Sequence, residues 1–271
     1  MKEMISSSSN KTIKYIKALQ MKKARDEYGE FLIEGEKLLK EALDYKVPVS
    51  MVLMSQSFAG STRLDEHADI LNKNKIQMYY AEDKIFNGVC ETDTPQGIIA
   101  AAGKLQYELE NIISKEELKI ILLHELRDPG NAGTIIRTAD ACGLDAVFIS
   151  KGSVDLYNGK TIRATMGSLF HMPVIQNLDT AETLSLLRDK QVTTVGADPH
   201  SNISCTDLPY YKKSAIIIGN ESQGISSEIK AMLDINTSIP MPGRAESLNA
   251  GIAASILMYE FVVRKRGCIA Q

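Results

Sequence analysis

The sequence predicts an α/β protein built as two domains. Three observations lead there: from Phe31 short apolar runs alternate with stretches of helical periodicity, a polar and charged stretch interrupts them at 104–118, and the alternation then restarts. The chain has 271 residues, 44% apolar and 24% charged, enough for two cores without disulfides or metal.

The first domain opens on a basic arm. Residues 1–25 carry Lys2, Lys11, Lys14, Lys17, Lys22, Lys23 and Arg25 against one acid, Glu3. Within the arm Ile13, Ile16 and Leu19 recur at helical spacing, so one face can pack while the lysines face solvent. Such a run reads equally well as a solvated amphipathic helix and as an arm that contacts phosphates. EFLIEG then reads as a strand, Glu36 to Tyr45 as a helix, SMVLM as a strand, Leu64 to Asn72 as a helix and KIQMYY as a strand. Glu82 to Val89 reads as a short helix and GIIAAAG as a closing strand. KLQYELENIISKEEL, residues 104–118, reads as a linker, which sets the division at 1–107, 108–118 and 119–271.

In the second domain KIILLHEL is a strand, DPGN a turn, and a helix runs to Cys142. The strand DAVFIS, a helical stretch around 158–165, the run PVIQ, a helix over Leu184 to Leu187, the strands VTTVGAD and SAIIIGN and a long helix from about Ser247 to Arg266 complete it. That helix has apolar residues on several faces, which predicts burial. Strands alternating with helices imply a parallel sheet covered on both faces, whose ligands bind in loops beyond the carboxyl ends of the strands. Three such loops are rich in Gly, Asn, Pro and acidic or hydroxyl groups: 128–137, 219–224 and 239–249.

Several chemistries are disfavoured. Cys90, Cys142, Cys205 and Cys268 form no CxxC pair, and His67, His124, His171 and His200 make no HExxH, so no metal site is expected. GxGxxG after a strand, GxxxxGK[ST] and GxSxG are all absent. No apolar run has the length of a membrane span or a signal-peptide core, so a cytoplasmic protein is expected. The net charge of -3 argues against a protein basic all over, but not against nucleic acid, because phosphate binding depends on where Lys and Arg sit.

In DPGNAGTIIRTADACG, residues 128–143, Pro129 and Gly130 turn the chain, Asn131 can cap the following helix, Gly133 permits close approach of another backbone, and Arg137 lies inside the helix. AIIIGNESQGI, 215–225, is a buried strand that breaks at Gly219 and delivers Asn220 and Glu221 into a loop. In IPMPGRAESLN, 239–249, Ser247 is a plausible helix cap and Asn249 a first-turn residue. Taken singly, each of these residues has an ordinary structural explanation.

Together and in this order, the three segments closely resemble the three motifs of the SpoU or TrmH-type RNA ribose 2'-O-methyltransferases, a branch of the SPOUT superfamily. IRATMGSLFHMPV, 162–174, is similar to the family's segment between motifs, with Thr165 where serine is more usual. The resemblance covers about 120–266, and the first domain looks like the small L30e-like domain that often precedes the catalytic one. It implies a carboxyl-terminal domain tied in a deep trefoil knot, a feature that periodicity does not reveal. It implies S-adenosyl-L-methionine as cofactor, held at Gly219, Ile239 and Leu248, with Ala197 matching more loosely. It implies Arg137 as the group acting on the ribose hydroxyl, Glu221 orienting Arg137 or another donor, and Asn131, Ser247 and Asn249 positioning ribose and phosphate. A homodimer and an RNA substrate are implied as well. The L30e-like domain tilts the substrate to rRNA; tRNA, or a non-enzymatic RNA-binding module of the same fold, are the alternatives. Lys14, Lys17, Lys22 and Lys23 of the arm are then expected to make the principal RNA phosphate contacts, supported by Arg137 and Arg163 at the site.

Overall fold

The computed structural model describes residues 4–62 and 69–264. They form two compact units: one runs to Leu105 and takes in Tyr157–Phe170, and the other comprises Gln106–Leu156 and the chain from His171. The division therefore differs from a single cut near 108, because a later segment returns to the first unit.

The first unit is a five-stranded mixed sheet. Its strands are β1 (Met4–Ile5), β2 (Glu30–Glu34), β3 (Val49–Ser55), β4 (Gln77–Ala81) and β5 (Ile98–Gly103), in the order β1-β4-β3-β5-β2. β5 lies antiparallel to both neighbours, with Leu53 opposite Ile99 and Phe31 opposite Ala102. The arm folds as two helices. Lys11–Leu19 is capped by Asn10, whose side chain accepts from the Thr12 N–H at 2.8 Å, and buries Ile13, Ile16 and Leu19 against Leu53, Phe86 and Ile99. Lys22–Tyr28 follows and ends on Gly29, which takes the left-handed φ of 66°. Lys14, Lys17, Lys22 and Lys23 are exposed. Arg25 instead turns inward, its Nη1 donating to the Leu19 and Gln20 carbonyls at 2.8 and 2.6 Å, a cation at a helix carboxyl end. The helix expected over Leu64 to Asn72 falls largely outside the described residues; 69–73 are helical.

Tyr157–Phe170 belongs to this first unit. The Tyr157 ring packs on Phe31 at 4.6 Å between centroids, and its hydroxyl accepts from the Leu105 N–H at 2.9 Å. Arg163, in the helix Gly159–Thr165, pairs with Glu91 at 3.2 Å and lies 3.9 Å from Glu34.

The second unit is a six-stranded parallel sheet. Its strands are β6 (Leu118–Leu123), β7 (Ala146–Ser150), β8 (Val174–Leu178), β9 (Thr193–Ala197), β10 (Lys213–Ile218) and β11 (Ile235–Thr237), in the order β11-β9-β10-β6-β7-β8. β6 and β10 pair at the centre, Ile121 opposite Ile216, and beyond Lys119, Lys213 and Ser214 near their amino ends both are apolar on both faces, as helix-covered parallel strands require. From β6 the chain runs outward through β7 and β8, crosses to β9, and inserts β10 between β9 and β6. The order reverses there, so the loops after β6 and β10 share the crevice where open α/β sheets bind ligands.

Three expectations are corrected. The stretch read as a linker holds the helix Leu109–Ile113, whose Ile112 and Ile113 lie in the core of the second unit; one helical turn among charged neighbours is too short to show a period. DPGN is no separate turn, since Asp128 caps and Pro129 begins the helix Pro129–Ala141. The terminal helix is not buried all round. It runs Ala250–Met258 and continues as a π-helix over Tyr259–Arg264, and Ile252, Ile256, Tyr259 and Val263 are exposed while Ala254, Leu257, Met258 and Phe261 are buried. β1, β11 and the helix Ser227–Met232 are too short to leave a period in the sequence.

Candidate active site

The loops after β6 and β10 and the cap of the terminal helix meet through side-chain amides and one carboxylate. Asp128 Oδ1 accepts from the Asn131 N–H at 2.7 Å, so Asp128 and not Asn131 is the helix cap. That frees the Asn131 side chain, which lies inside the first turn and is buried. Its Nδ2 donates to Glu221 Oε1 at 3.1 Å, and its Oδ1 accepts from Asn249 Nδ2 at 2.9 Å.

Asn249 is itself the cap of the terminal helix, its Oδ1 accepting from the Gly251 and Ile252 N–H groups at 2.9 and 3.2 Å. Ser247, expected to cap, is instead exposed two residues before it. The two helices pack closely here: a Cβ added at Gly251 would sit 3.3 Å from Asn131 Oδ1, and farther along Thr138 Oγ1 meets Ser255 Oγ at 3.2 Å.

The β10 loop is a tight backbone clasp. Asn220 and Gly224 exchange N–H···O bonds at 3.0 and 2.8 Å, and Asn220 Oδ1 accepts from the Ser222 and Gln223 N–H groups. Gly219 has no room for a side chain, because a Cβ there would overlap the Gly224 carbonyl carbon and the Ile225 nitrogen. The clasp aims Glu221 at the β6 loop. Its carboxylate accepts from the Arg127 N–H at 3.1 Å, the Asp128 N–H at 2.9 Å and the Asn131 amide. The expectation that Glu221 orients Arg137 is therefore corrected to the other donor, Asn131, together with two backbone groups.

Burial pushes the Glu221 carboxyl upward, but the Asp128 and Arg127 N–H groups and the Asn131 amide outweigh it and hold it below the ordinary carboxylate range. A lowered native value means that the ionised group stabilises the fold fully above its ordinary 4.5, and that this contribution is lost as pH falls through the native value. Glu221→Gln is expected to remove about 1–2 kcal/mol at neutral pH, after allowance for solvent around an exposed group. Thermal melts should show a gap between parent and variant at pH 7 that narrows below about pH 4. A gap independent of pH would show that shape, not charge, is what Glu221 contributes.

Arg137 lies on the same helix as Asn131, less than two turns farther on. It is exposed, and among the described residues no hydrogen bond or ion pair holds it. Its guanidinium thus stands available to an anionic or hydroxylic ligand. Arg163, expected beside it, belongs to the other unit and is paired with Glu91.

The cofactor candidates fall along one edge. Ala197 ends β9, Gly219 directly follows β10 beside it, and Ile239 lies two residues past β11, whose Thr237 pairs with Ala197. Leu248 immediately precedes the Asn249 cap and, like Ile239, is half-buried. Strand-end backbone groups beyond the last ladder bond, with two apolar side chains, suit a ligand with a heteroaromatic ring and an uncharged sugar. Asp128 and Gly251 are positioning residues that sequence reasoning passed over. The Asp-Pro pair opening a helical pattern signals the first; no local signal marks the second, whose role comes from a helix across the unit.

The model of the SpoU rRNA Methylase family matches residues 119–259, and that of the MRM3-like substrate binding domain matches residues 10–100. The 23S rRNA (guanosine(2553)-2'-O)-methyltransferase RlmP of Bacillus subtilis (strain 168) is 36% identical over 257 residues, covering 95% of this chain and 98% of that protein. The SpoU methyltransferase AviRb from Streptomyces viridochromogenes, in complex with the cofactor AdoMet, superposes with a TM-score of 0.86 at 28% identity, covering 95% of this chain and 98% of that one. An AdoMet-bound rRNA methyltransferase from Sinorhizobium meliloti gives 0.85 at 29% identity over 95% and 96% of the two chains.

Proposed function

The chain belongs to the SpoU rRNA methylase family, and on that premise we propose that it transfers a methyl group from S-adenosyl-L-methionine to a ribose 2'-hydroxyl of ribosomal RNA. The observation that carries the reading within the structure is the Glu221–Asn131–Asn249 chain of hydrogen bonds, which joins all three loop segments beside an available Arg137. Retention of every one of these polar groups favours an enzyme over a binding module of the same fold.

The cofactor, when bound, supplies an electrophilic methyl on a sulfonium. Ala197, Gly219, Ile239 and Leu248 would hold it at the carboxyl edge of β9, β10 and β11. The chain's own task is to align the ribose hydroxyl and to stabilise negative charge as its O–H bond weakens. Arg137 stays protonated, so it cannot serve as the base. It donates to the 2'-oxygen and an adjacent phosphate, and phosphate or water accepts the proton. Asn131 and Asn249, fixed by Glu221 and by the helix cap, position ribose and phosphate, with Ser247 at the rim. No step needs a metal, and among the described residues no group of three His, Cys, Asp or Glu side chains could hold one.

The first unit acts as an L30e-like substrate-binding domain. Support comes from its match to a substrate-binding family and from the exposure of Lys14, Lys17, Lys22 and Lys23 on the solvent side of two helices. Neutralising these four is expected to weaken RNA binding and to flatten the dependence of log K on log salt by up to about 0.7 per lost phosphate contact. An unchanged slope would return the arm to a purely structural part. Arg163 contributes to RNA only by releasing Glu91.

The reading also carries a knotted carboxyl-terminal path and a homodimer in the cytoplasm. Among the described residues no helix is long and apolar enough to cross a membrane. The dimer is supported by the exposed Ile252, Ile256, Tyr259 and Val263 on one side of the terminal helix, an apolar stripe unusual on a monomer. Sedimentation at micromolar concentration should give a dimer, and an active monomer would refute it. Methyl transfer from labelled S-adenosylmethionine to unmodified 23S rRNA transcript, followed by mapping of the 2'-O-methyl site, tests the function directly; transfer to tRNA alone would overturn the substrate.

A further inference from the structure

A cavity of about 430 Å³ opens beyond the carboxyl ends of β6, β7, β8 and β10, and no step of the chemistry above uses it. It adjoins the reacting centre: Asn220 lines it, while the next residue, Glu221, is bonded to Asn131. Its size suits a single nucleoside.

Two features show a built site. His124 is only 8% exposed, its Nδ1 is bonded to Thr180 Oγ1 at 2.9 Å, and among the described residues nothing engages Nε2, which is left as the ring's polar atom for an occupant of the cavity. The next residue, Glu125, takes φ = 52°, a left-handed conformation that favours glycine. It is held there from both sides, its N–H donating to Ser150 Oγ and its carbonyl accepting from Asn220 Nδ2, each at 2.9 Å.

The lining's charge selects the occupant. Glu125, Asp179 and Glu228 face one cation, Lys151, which lies 3.9 Å from Asp179. A phosphate would be repelled, and among the described residues no three ligands converge on a metal. Leu178, Ala181 and Ile229 add an apolar wall. The Glu125 and Glu228 carboxylates, which make no hydrogen bond or ion pair among the described residues, together with an imidazole nitrogen and an apolar wall suit a neutral heterocycle with amino and ring N–H donors.

We propose that this cavity receives the base of an unpaired RNA nucleotide flanking the one that is methylated, with its amino and ring N–H groups turned to Glu125 or Glu228 and its phosphate left outside. The proposal rests on the rRNA methyl-transfer reading and adds a source of sequence selectivity to it.

The test uses the full chain and a hairpin centred on the nucleotide methylated in 23S rRNA transcript, with an abasic sugar placed in turn at each flanking position. Ala181→Phe fills the cavity from a residue outside the chemistry. At one flanking position the abasic sugar should cost the parent about tenfold in RNA affinity. Ala181→Phe should bind the intact hairpin that weakly and be indifferent to the same abasic sugar, with S-adenosylhomocysteine affinity unchanged. Glu125→Gln carries the same comparison should Ala181→Phe fail to melt cooperatively. Losses that multiply, or no sensitive flanking position, overturn the subsite. Guanosine or cytidine at millimolar concentration that raises the parent's melting temperature but not the variant's, without flank dependence, assigns the cavity to a free nucleoside and overturns the RNA base. Absence of methyl transfer by the parent overturns the functional reading itself, whereas methyl transfer with multiplying losses overturns the subsite alone.

Discussion

Arg137→Ala is expected to lower single-turnover methylation at least about a hundredfold, some 3 kcal/mol of transition-state stabilisation, while S-adenosylhomocysteine binding stays nearly unchanged. The split follows from position. Arg137 is exposed and unengaged among the described residues, so its removal leaves no buried partner orphaned and should barely move the melting temperature. The cofactor candidates lie instead at strand ends and at Leu248. A hundredfold loss confined to the chemical step would assign Arg137 to the developing oxyanion. A loss confined to RNA affinity would make it a phosphate anchor. Arg137→Lys should recover little, because a single ammonium cannot reach hydroxyl and phosphate in the forked geometry of a guanidinium.

The second large effect is expected at Gly219. Alanine there would overlap the Gly224 carbonyl carbon and the Ile225 nitrogen, which are backbone atoms and cannot swing aside as a flexible side chain would. Relief requires opening the Asn220–Gly224 clasp, which also aims Glu221 and adjoins the edge at which the cofactor is proposed to bind. Gly219→Ala should therefore cost about 1–3 kcal/mol or more in stability and weaken S-adenosylhomocysteine binding at least about tenfold, seen by melting and calorimetry. Normal affinity in a folded variant would separate the clasp from the cofactor. Gly224→Ala should also destabilise, but for a different reason, since Gly224 holds a left-handed φ of 68° in open space.

The loops that carry the candidate residues are legible in the sequence because they follow conspicuous apolar strands. KIILL and SAIII announce buried parallel strands, and the Asn, Gly and Glu residues beyond them stand out against their surroundings. The amphipathic arm was legible as well, with Ile13, Ile16 and Leu19 inside and Lys14 and Lys17 outside. Helix ends are less legible. Asn131 and Ser247 looked like caps because cap residues are recognised by type, and Asp128 and Asn249, a few positions away, have the same chemistry. Which one caps depends on where the chain leaves the strand, and that depends on packing.

By itself the sequence determined the α/β class, the two cores, and which loops carry polar groups, because hydrophobic period and turn chemistry act over a few residues. Only the tertiary structure decided that Glu221 serves Asn131 and not Arg137, that Arg163 belongs with Glu91, that one side of the terminal helix stays exposed, and that His124 borders a cavity. Those outcomes depend on which strands become neighbours. β10 inserts between β9 and β6, bringing residues some ninety positions apart within hydrogen-bond reach, and no local pattern encodes such a pairing.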